Sequence, residues 1–268
     1  MPRLVGLPHR STRLPSIDFN CDLGEGCGDD AAIIPLLSSA SIACGGHAGD
    51  ADNMRRALRL CRTHGVAAGA HPSYPDREHF GRRDLPLPPA DIADAVRAQI
   101  GQLMTLARQE GIRLAHVKPH GALYNRAADD EEVADAIAAT VASIDRDLRL
   151  FGLSGSALTR AGARHGLRVA HEVFAERGYD ARGRLLPRGT PGAELETVAE
   201  AVAQVRALVV DGRAPIAGGG HIALRADTLC LHGDRADAAA FARALRDALT
   251  EAGVTIQPVP IHDARESR

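Results

Sequence analysis

The sequence predicts an α/β protein, an irregular (β/α) barrel of about seven parallel strands. Short apolar runs alternate with amphipathic stretches along the whole chain, and such alternation favours parallel strands joined by right-handed crossovers. Seven or eight such units in 268 residues fit a closed barrel better than an open sheet. An open doubly wound sheet is the alternative architecture, and it would place a ligand where the strand order reverses.

Eight apolar runs are predicted as strands, because each is short and leads into polar or glycine residues. They are residues 17–22, 41–44, 66–71, 114–118, 148–153, 167–174, 228–232 and 254–259. Six stretches between them are predicted as helices, because their apolar residues recur every three or four positions. They are residues 50–63, 88–109, 130–144, 156–164, 194–210 and 236–252. Asp50 or Asp52 is a plausible N-cap for the first helix, and Gly65 is placed where a helix commonly ends.

The chain is predicted to be one domain, since no linker or change of composition divides it. We assign residues 16–260 to the barrel, residues 1–15 to a loose N-terminal arm and residues 261–268 to a tail. The arm lacks the apolar segment of a signal peptide, and no apolar run approaches the ~20 residues that cross a bilayer.

Charge and cysteine content narrow the class of protein further. The net charge of −2 gives no reason to expect nucleic acid or an anionic membrane as a partner. The five cysteines lack CxxC spacing and fit reduced thiols better than disulfides or a zinc knot. We therefore expect a cytoplasmic protein.

Polar side chains gather at the carboxyl ends of the predicted strands, where (β/α) barrels carry their functional residues. In chain order these are Asp22, His47, His71, Lys118, His120 and His232. Lys118 is the only lysine among 32 basic residues. Because arginine serves at every other position, we interpret Lys118 as a site that needs a compact ammonium group. Cys21 and Cys44 are predicted as small core residues, and His116 as a histidine packed lower in the barrel.

Two chemistries could use this ring of polar residues. The histidines and carboxylates could bind a metal, but they lie on different strands, without HxH or HExxH spacing. Alternatively, Lys118 could polarise an oxygen or bind a phosphate while a carboxylate or histidine activates water at an amide. The sequence favours this metal-free chemistry. We therefore assign no metal ligands, and the presence of a metal stays open. Glycines 218–220 lack a strand–helix context, so we interpret them as a turn or lid and not as a nucleotide cradle.

Longer motifs surround these residues in a specific order. They are NCDLGEG (20–26), IACGGHAGD (42–50), GAHPSYP (69–75), FGRR (80–83), VKPHGALYN (117–125), EVFAER (172–177), PRGTPG (187–192) and HGD (232–234). In these motifs the chain resembles the LamB/YcsF family, the A-type 5-oxoprolinase subunits of bacteria. The resemblance covers about residues 17–259, and it implies a fold similar to the glycoside hydrolase/deacetylase barrels.

The resemblance also implies an activity, namely the ATP-dependent cleavage of 5-oxo-L-proline to L-glutamate together with partner subunits B and C. ATP would be a co-substrate, and a homo-oligomer is possible. The catalytic residues would be Asp22, Glu25, Lys118 and His120. The substrate-binding residues would be Asn20, His47, His71, Arg188 and His232, with Arg188 clamping the substrate carboxylate.

Two other functions remain open from the sequence. One is a stand-alone, metal-dependent amidohydrolase or deacetylase acting on small amides or sugars. The other is a substrate-binding subunit without chemistry of its own, which the absence of a GxxxxGK[ST] phosphate loop keeps open.

Overall fold

The computed structural model of the chain describes residues 15–235 and 237–259. Almost all of the predicted N-terminal arm and the whole predicted tail lie outside these residues. The described part contains ten strands: β1 (Ser16–Leu23), β2 (Ser39–Ala43), β3 (Ala67–His71), β4 (His116–Val117), β5 (Arg149–Leu153), β6 (Val169–Phe174), β7 (Arg213–Pro215), β8 (His221–Ala223), β9 (Thr228–His232) and β10 (Thr255–Ile256). It also contains eight α-helices: α1 (Asp30–Ile33), α2 (Ala51–His64), α3 (Pro89–Gln109), α4 (Gly121–Asp129), α5 (Glu131–Ile144), α6 (Ala157–Arg164), α7 (Val198–Val209) and α8 (Ala238–Glu251).

Seven parallel strands close into a barrel. Their order is β1-β2-β3-β4-β5-β6-β9, and β9 pairs back with β1 from Asp18↔Thr228 to Asp22↔His232. This pairing removes both sheet edges, so the predicted (β/α) barrel is confirmed and the open-sheet alternative is wrong. Among the residues described, the short strand β10 pairs only with the beginning of β1, which leaves it outside the ring.

The helices form because their ends are capped and one face of each is apolar. At the start of α2, the Asp50 side chain accepts a hydrogen bond from the Asn53 N–H, and Gly65 ends the helix with φ +68°. The predicted cap and stop are therefore both confirmed. In α3, residues such as Val96 and Ile100 are fully buried because their helical spacing turns them towards the strands.

The interior of the barrel is polar along β1. Asp18, Asn20 and Asp22 are all buried and point inward at a period of two. Asp18 lies lowest, where its carboxylate accepts hydrogen bonds from the hydroxyls of Ser38, Ser39 and Thr228. The two residues above it, Asn20 and Asp22, lead up to the carboxyl end of the barrel.

Three elements differ from the expectation or refine it. Helix α4 begins directly after Pro119 and His120, in a stretch where the sequence predicted no helix; its first residue, Gly121, has a positive φ and its N-cap makes no side-chain hydrogen bond. Helix α7 begins at Val198 and not at residue 194, because Thr197 and Glu200 form a capping box. Glycines 218–220 turn the chain between β7 and β8, which form an antiparallel hairpin. They therefore form a turn, as predicted.

Several smaller predictions can be checked in the described residues. All five cysteines are unpaired, and Cys21 and Cys44 are buried. His116 is buried inside the barrel, where it contacts Ser41 and stacks on Phe151. Among the helices described, none has the length and apolar character to span a membrane.

Candidate active site

The carboxyl ends of the barrel strands open into a cavity of about 490 Å³. Six of the nine predicted site residues line it: Asp22, His71, Lys118, His120, Arg188 and His232. The other three lie just behind this wall. Asn20 contacts Lys118 from below, while Glu25 and His47 lie against His120. The sequence therefore predicted residues that come together, although they lie up to 212 positions apart, from Asn20 to His232.

Lys118 lies at the bottom of the cavity in a shell of acceptors. Its Nζ donates to Asp22 Oδ1 (2.8 Å) and Asn20 Oδ1 (3.2 Å), lies 2.8 Å from Glu172 Oε1, and contacts Cys230 Sγ at 3.0 Å. Burial alone would lower the pKa of Lys118, but the charges of Asp22 and Glu172 outweigh burial and raise the pKa well above its usual value. Lys118 is therefore a fixed ammonium group, held by two carboxylates.

Asp22 connects Lys118 with the histidines. Its Oδ1 accepts from Lys118, and its Oδ2 lies 3.3 Å from His71 Nε2. Burial would raise the pKa of Asp22, yet the charges of His71 and Lys118 hold it well below the usual value. Asp22 is therefore a carboxylate over the whole ordinary pH range.

Glu25, His47, His71 and His120 form a compact group that we call the histidine cluster. His120 Nδ1 lies 2.9 Å from His71 Nε2, and His47 Nε2 lies 3.0 Å from Glu25 Oε1. Glu25 Oε1 is 3.8 Å from His120 Nδ1. One side-chain atom from each of the four residues lies within 4.8 Å of the other three, which is close enough for one small cation to contact all of them.

Burial sets the protonation of this cluster. Burial, assisted by the charges of Asp22 and Asp234, raises the pKa of Glu25 well above its usual value. Burial and the neighbouring His71 lower the pKa of His47 to about 2, and burial with the other histidines holds the pKa of His120 well below its usual range. The rings of His47 and His120 are thus neutral imidazoles, stacked in parallel with their centroids 3.6 Å apart.

A tight turn after β3 holds His120 in place. Phe80 has φ +55°, a left-handed conformation that is strained for a residue other than glycine, and its carbonyl accepts a hydrogen bond from His120 Nε2 (2.9 Å). The next carbonyl, that of Gly81, accepts from the Ala122 N–H at the start of α4. The FGRR motif therefore orients His120 from outside the barrel.

Arginines surround the mouth of the cavity. Arg188 is one-third exposed and forms an ion pair with Glu194, and Arg82 forms one with Asp234. Arg177 is buried and donates to the carbonyls of Ala193 and Leu186, so its charge has no carboxylate within hydrogen-bonding distance among the residues described. These cations make the mouth suited to an anionic ligand.

Four residues that take part in the site are not among the nine predicted site residues: Glu172, Glu176, Arg177 and Cys230. Glu172 binds Lys118, and Glu176 accepts from His232, whose ring stacks on Phe174. The alternation of β6 holds a signal for two of them, because Glu172, Phe174 and Glu176 are each two apart. His171, one position out of phase, contacts the Gly155 N–H outside the cavity.

The barrel carries buried carboxylates, a lysine and histidines at the carboxyl ends of its strands, where (β/α) barrels have their functional sites. The chain is therefore a (β/α)-barrel protein with an enzyme-like polar site. The chain belongs to the LamB/YcsF family, whose pattern matches residues 17–264. It is similar to the crystal structure of the lactam utilization protein from Thermus thermophilus, with 43% sequence identity and a TM-score of 0.85, over 90% of this chain and 99% of that one.

More distant similarity is found to two other barrels. The family 4 carbohydrate esterase from Streptomyces lividans has 13% identity and a TM-score of 0.44, over 92% of this chain and 93% of that one. The peptidoglycan deacetylase PdaC from Bacillus subtilis has 14% identity and a TM-score of 0.46, over 92% and 89%.

Proposed function

We propose that this chain is the A-type component of an ATP-dependent 5-oxoprolinase, which opens 5-oxo-L-proline to L-glutamate together with subunits B and C. The observation that carries the proposal is the cavity itself, which places Lys118, Asp22 and three histidines around a space of about 490 Å³. That volume suits a small polar molecule. Membership of the LamB/YcsF family and the likeness to a lactam utilization protein support a cyclic amide as that molecule.

The chemistry explains why ATP is required. A five-membered lactam is an unstrained amide, so its opening in water needs a driving force. Transfer of the ATP γ-phosphoryl group to the lactam oxygen would produce ADP and a better electrophile. Water then adds to the ring carbon, the C–N bond breaks with a proton passing to the departing nitrogen, and a second water releases inorganic phosphate and L-glutamate.

Each role can be assigned to a group at the cavity. Lys118 is a fixed positive charge that can stabilise the developing oxyanion or the phosphoryl group. Asp22 or Glu25 takes the proton of the attacking water, and His120 can pass a proton to the departing nitrogen. Arg188, at the mouth, can exchange its partner Glu194 for the substrate carboxylate, while Asn20, His47, His71 and His232 shape the rest of the site.

The first experiment measures glutamate release and 5-oxoproline-dependent ATP hydrolysis, with this chain alone and with subunits B and C. We expect glutamate only from the three proteins together. If no glutamate forms, although the same B and C preparations are active with another A-type component, the proposed function is wrong.

Variants in the assembled complex then test the roles. Asp22→Asn and Glu25→Gln should each lower kcat, by about 10²-fold or more for the one that acts as the base, whereas Arg188→Gln should mainly raise KM. Arg213→Gln is the matched control, because Arg213 forms a comparable exposed ion pair with Asp211 outside the cavity. Full activity of both Asp22→Asn and Glu25→Gln would exclude these carboxylates as the base.

The histidine cluster favours a second candidate, a metal-dependent amidohydrolase that acts without partner proteins. This candidate predicts turnover of small amides or acetylated sugars by the isolated chain. The assay of the chain alone, extended to such amides, separates the two functions.

A further inference from the structure

We infer that the histidine cluster is a binding site for one divalent transition-metal ion of the zinc type, with Glu25, His47, His71 and His120 as its ligands. The sequence favours metal-free chemistry, whereas this inference places a metal ion beside Asp22 and Lys118. It does not rest on the proposed function, because it concerns what the isolated chain binds.

The first argument is the orientation of two imidazole rings. His71 Nδ1 lies 2.7 Å from the carbonyl oxygen of Lys118, and His120 Nε2 lies 2.9 Å from the carbonyl oxygen of Phe80. A carbonyl oxygen only accepts hydrogen bonds, so each of these nitrogens carries the ring's proton. With that single proton on each ring, His71 Nε2 and His120 Nδ1 both present lone pairs.

These two lone pairs face each other across only 2.9 Å. Two acceptors at this distance repel unless a cation lies between or beside them, and the cation is either a proton or a metal ion. Asp22 Oδ2, 3.3 Å from the same His71 nitrogen, adds a third acceptor to this contact. The geometry thus requires positive charge at this point.

The second argument is the number of acceptors that converge here. Glu25 and His47 complete a group of four residues, each of which offers one potential ligand atom within 4.8 Å of the other three. One proton can join only a single pair of these atoms, whereas one metal ion can contact all four. Three imidazole nitrogens and one carboxylate oxygen form a donor set that suits Zn²⁺ and its first-row neighbours.

The third argument is the support behind the ligands. Metal-binding histidines usually donate their other N–H to a carbonyl or carboxylate, which fixes the tautomer. His71 and His120 both do so, and each acceptor carbonyl belongs to a segment tied to a neighbouring strand or helix. For His47, Nδ1 has no hydrogen-bond partner in the part of the chain that the structure describes, so either tautomer is available and Nε2 can present its lone pair.

The burial of the cluster also fits a metal site. The side chains of Glu25, His47, His71 and His120 are at most 5% exposed, while His71 and His120 line the cavity. An ion held here would be sheltered from bulk water on one side and accessible to a small ligand on the other, with Asp22 and Lys118 next to it.

The test is metal binding by the purified chain after removal of metal with a chelator, without substrate, ATP or partner proteins. Zn²⁺ binding is measured by competition with a chromophoric chelator and by elemental analysis after gel filtration. We expect one Zn²⁺ per chain. His71→Ala and His120→Ala should each weaken binding by at least about 10²-fold, and His79→Ala, which removes a half-exposed histidine paired with Asp76, should leave it unchanged.

Two further readouts keep the test valid if a variant folds poorly. Co²⁺ bound by the unmodified chain should give the intense visible absorption of four-coordinate cobalt, whereas Co²⁺ at scattered surface sites would stay six-coordinate and pale. Zn²⁺ should also raise the thermal unfolding midpoint of the unmodified chain and of His79→Ala. Absence of a stoichiometric ion in the unmodified chain would overturn the site and leave a shared proton between His71 and His120. Equal binding by folded His71→Ala and His120→Ala would overturn it as well.

Discussion

At the scale of single residues, the surroundings of Lys118 explain why the chain has one lysine beside 31 arginines. Its ammonium group lies between Asp22 and Glu172, and the lysine side chain is only 2% exposed. A guanidinium group is planar and larger, and it needs acceptors placed in one plane, whereas the acceptors around Lys118 come from β1, β6 and β9. Burial by itself would lower the pKa of this lysine, but the charges of the two carboxylates reverse that direction.

This environment makes a stability prediction for Lys118→Met. Methionine has a similar volume but no charge, so Asp22 and Glu172 would be left buried without their cation. Breaking a buried ion pair from one side costs about 3–5 kcal/mol, and we expect a loss of that size in the free energy of unfolding, measured with urea.

The double variant Lys118→Met/Asp22→Asn is the control, because it removes one of the two stranded charges. It should be less destabilised than Lys118→Met alone. If Lys118→Met is as stable as the unmodified chain, the lysine does not balance these carboxylates.

Some site residues could be predicted from the sequence and others could not, for a physical reason. His71, Lys118 and His232 each follow an apolar run directly, so local pattern places them at a strand end. Glu172 stands beside His171, and only the register of β6 in the barrel decides which of the two points inward. The members of the histidine cluster were each predicted as site residues, but their grouping into one cluster could not be predicted, because they come from four separate segments and no spacing connects them.

At the scale of elements, the junction between β4 and α4 determines where His120 points. Gly121 begins α4 with φ +58°, and a Cβ atom at this position would lie 2.5 Å from the Gly81 carbonyl oxygen. Gly81 follows Phe80, whose carbonyl holds the His120 ring. The missing side chain of Gly121 thus allows the turn after β3 to pack against the start of α4.

Gly121→Ala should therefore lower the free energy of unfolding and also displace His120 in the histidine cluster. The positive φ alone costs roughly 1–2 kcal/mol, and contact with a backbone oxygen adds to this because neither partner can rotate away. Urea unfolding should show a larger loss than in Gly111→Ala, where φ is +70° but no atom lies within 4 Å of the added Cβ. Zinc affinity should fall only in Gly121→Ala, and equal losses in the two variants would contradict this account.

Sequence patterns predict long helices better than short ones. Helix α3 was predicted within one residue of its observed ends, because 21 residues repeat one apolar face. Helix α4 has nine residues and begins with a glycine, so its helical period is too short to distinguish from the end of a strand. Its existence depends on the packing of the turn after β3, which is a tertiary contact.

At the scale of the whole molecule, the barrel closes where β1 meets β9, and Asp18 lies at that seam. The Asp18 carboxylate joins Ser38 and Ser39, at the beginning of β2, to Thr228, at the beginning of β9. Burial raises the pKa of Asp18 above its ordinary value of 3.8, although these three hydroxyls partly oppose that effect. The barrel thus closes around a carboxyl group whose ionisation in the folded state costs free energy.

The titration of Asp18 should make the free energy of unfolding depend on pH. The unfolded chain releases the Asp18 proton near pH 3.8, while the folded chain keeps it to a higher pH, so the folded state binds more protons in between. The contribution of Asp18 to the free energy of unfolding therefore falls as pH rises from about 4 to the folded-state pKa, and it is constant above that. Asp18→Asn cannot titrate, so the stability of the unmodified chain relative to Asp18→Asn should fall over the same interval, measured by urea unfolding between about pH 4 and about pH 8.

Asp130→Asn provides a control of opposite sign. Hydrogen bonds from the Val133 N–H, at the start of α5, and from Arg126, in α4, outweigh burial and lower the pKa of Asp130. Its contribution is present above the unfolded-state pKa and is lost as pH falls through the folded-state pKa, so the unmodified chain should gain stability relative to Asp130→Asn as pH rises. If the differences for Asp18→Asn and Asp130→Asn changed with pH in the same direction, the pKa of Asp18 would not be raised by its burial at the seam, and this account of the seam would be wrong.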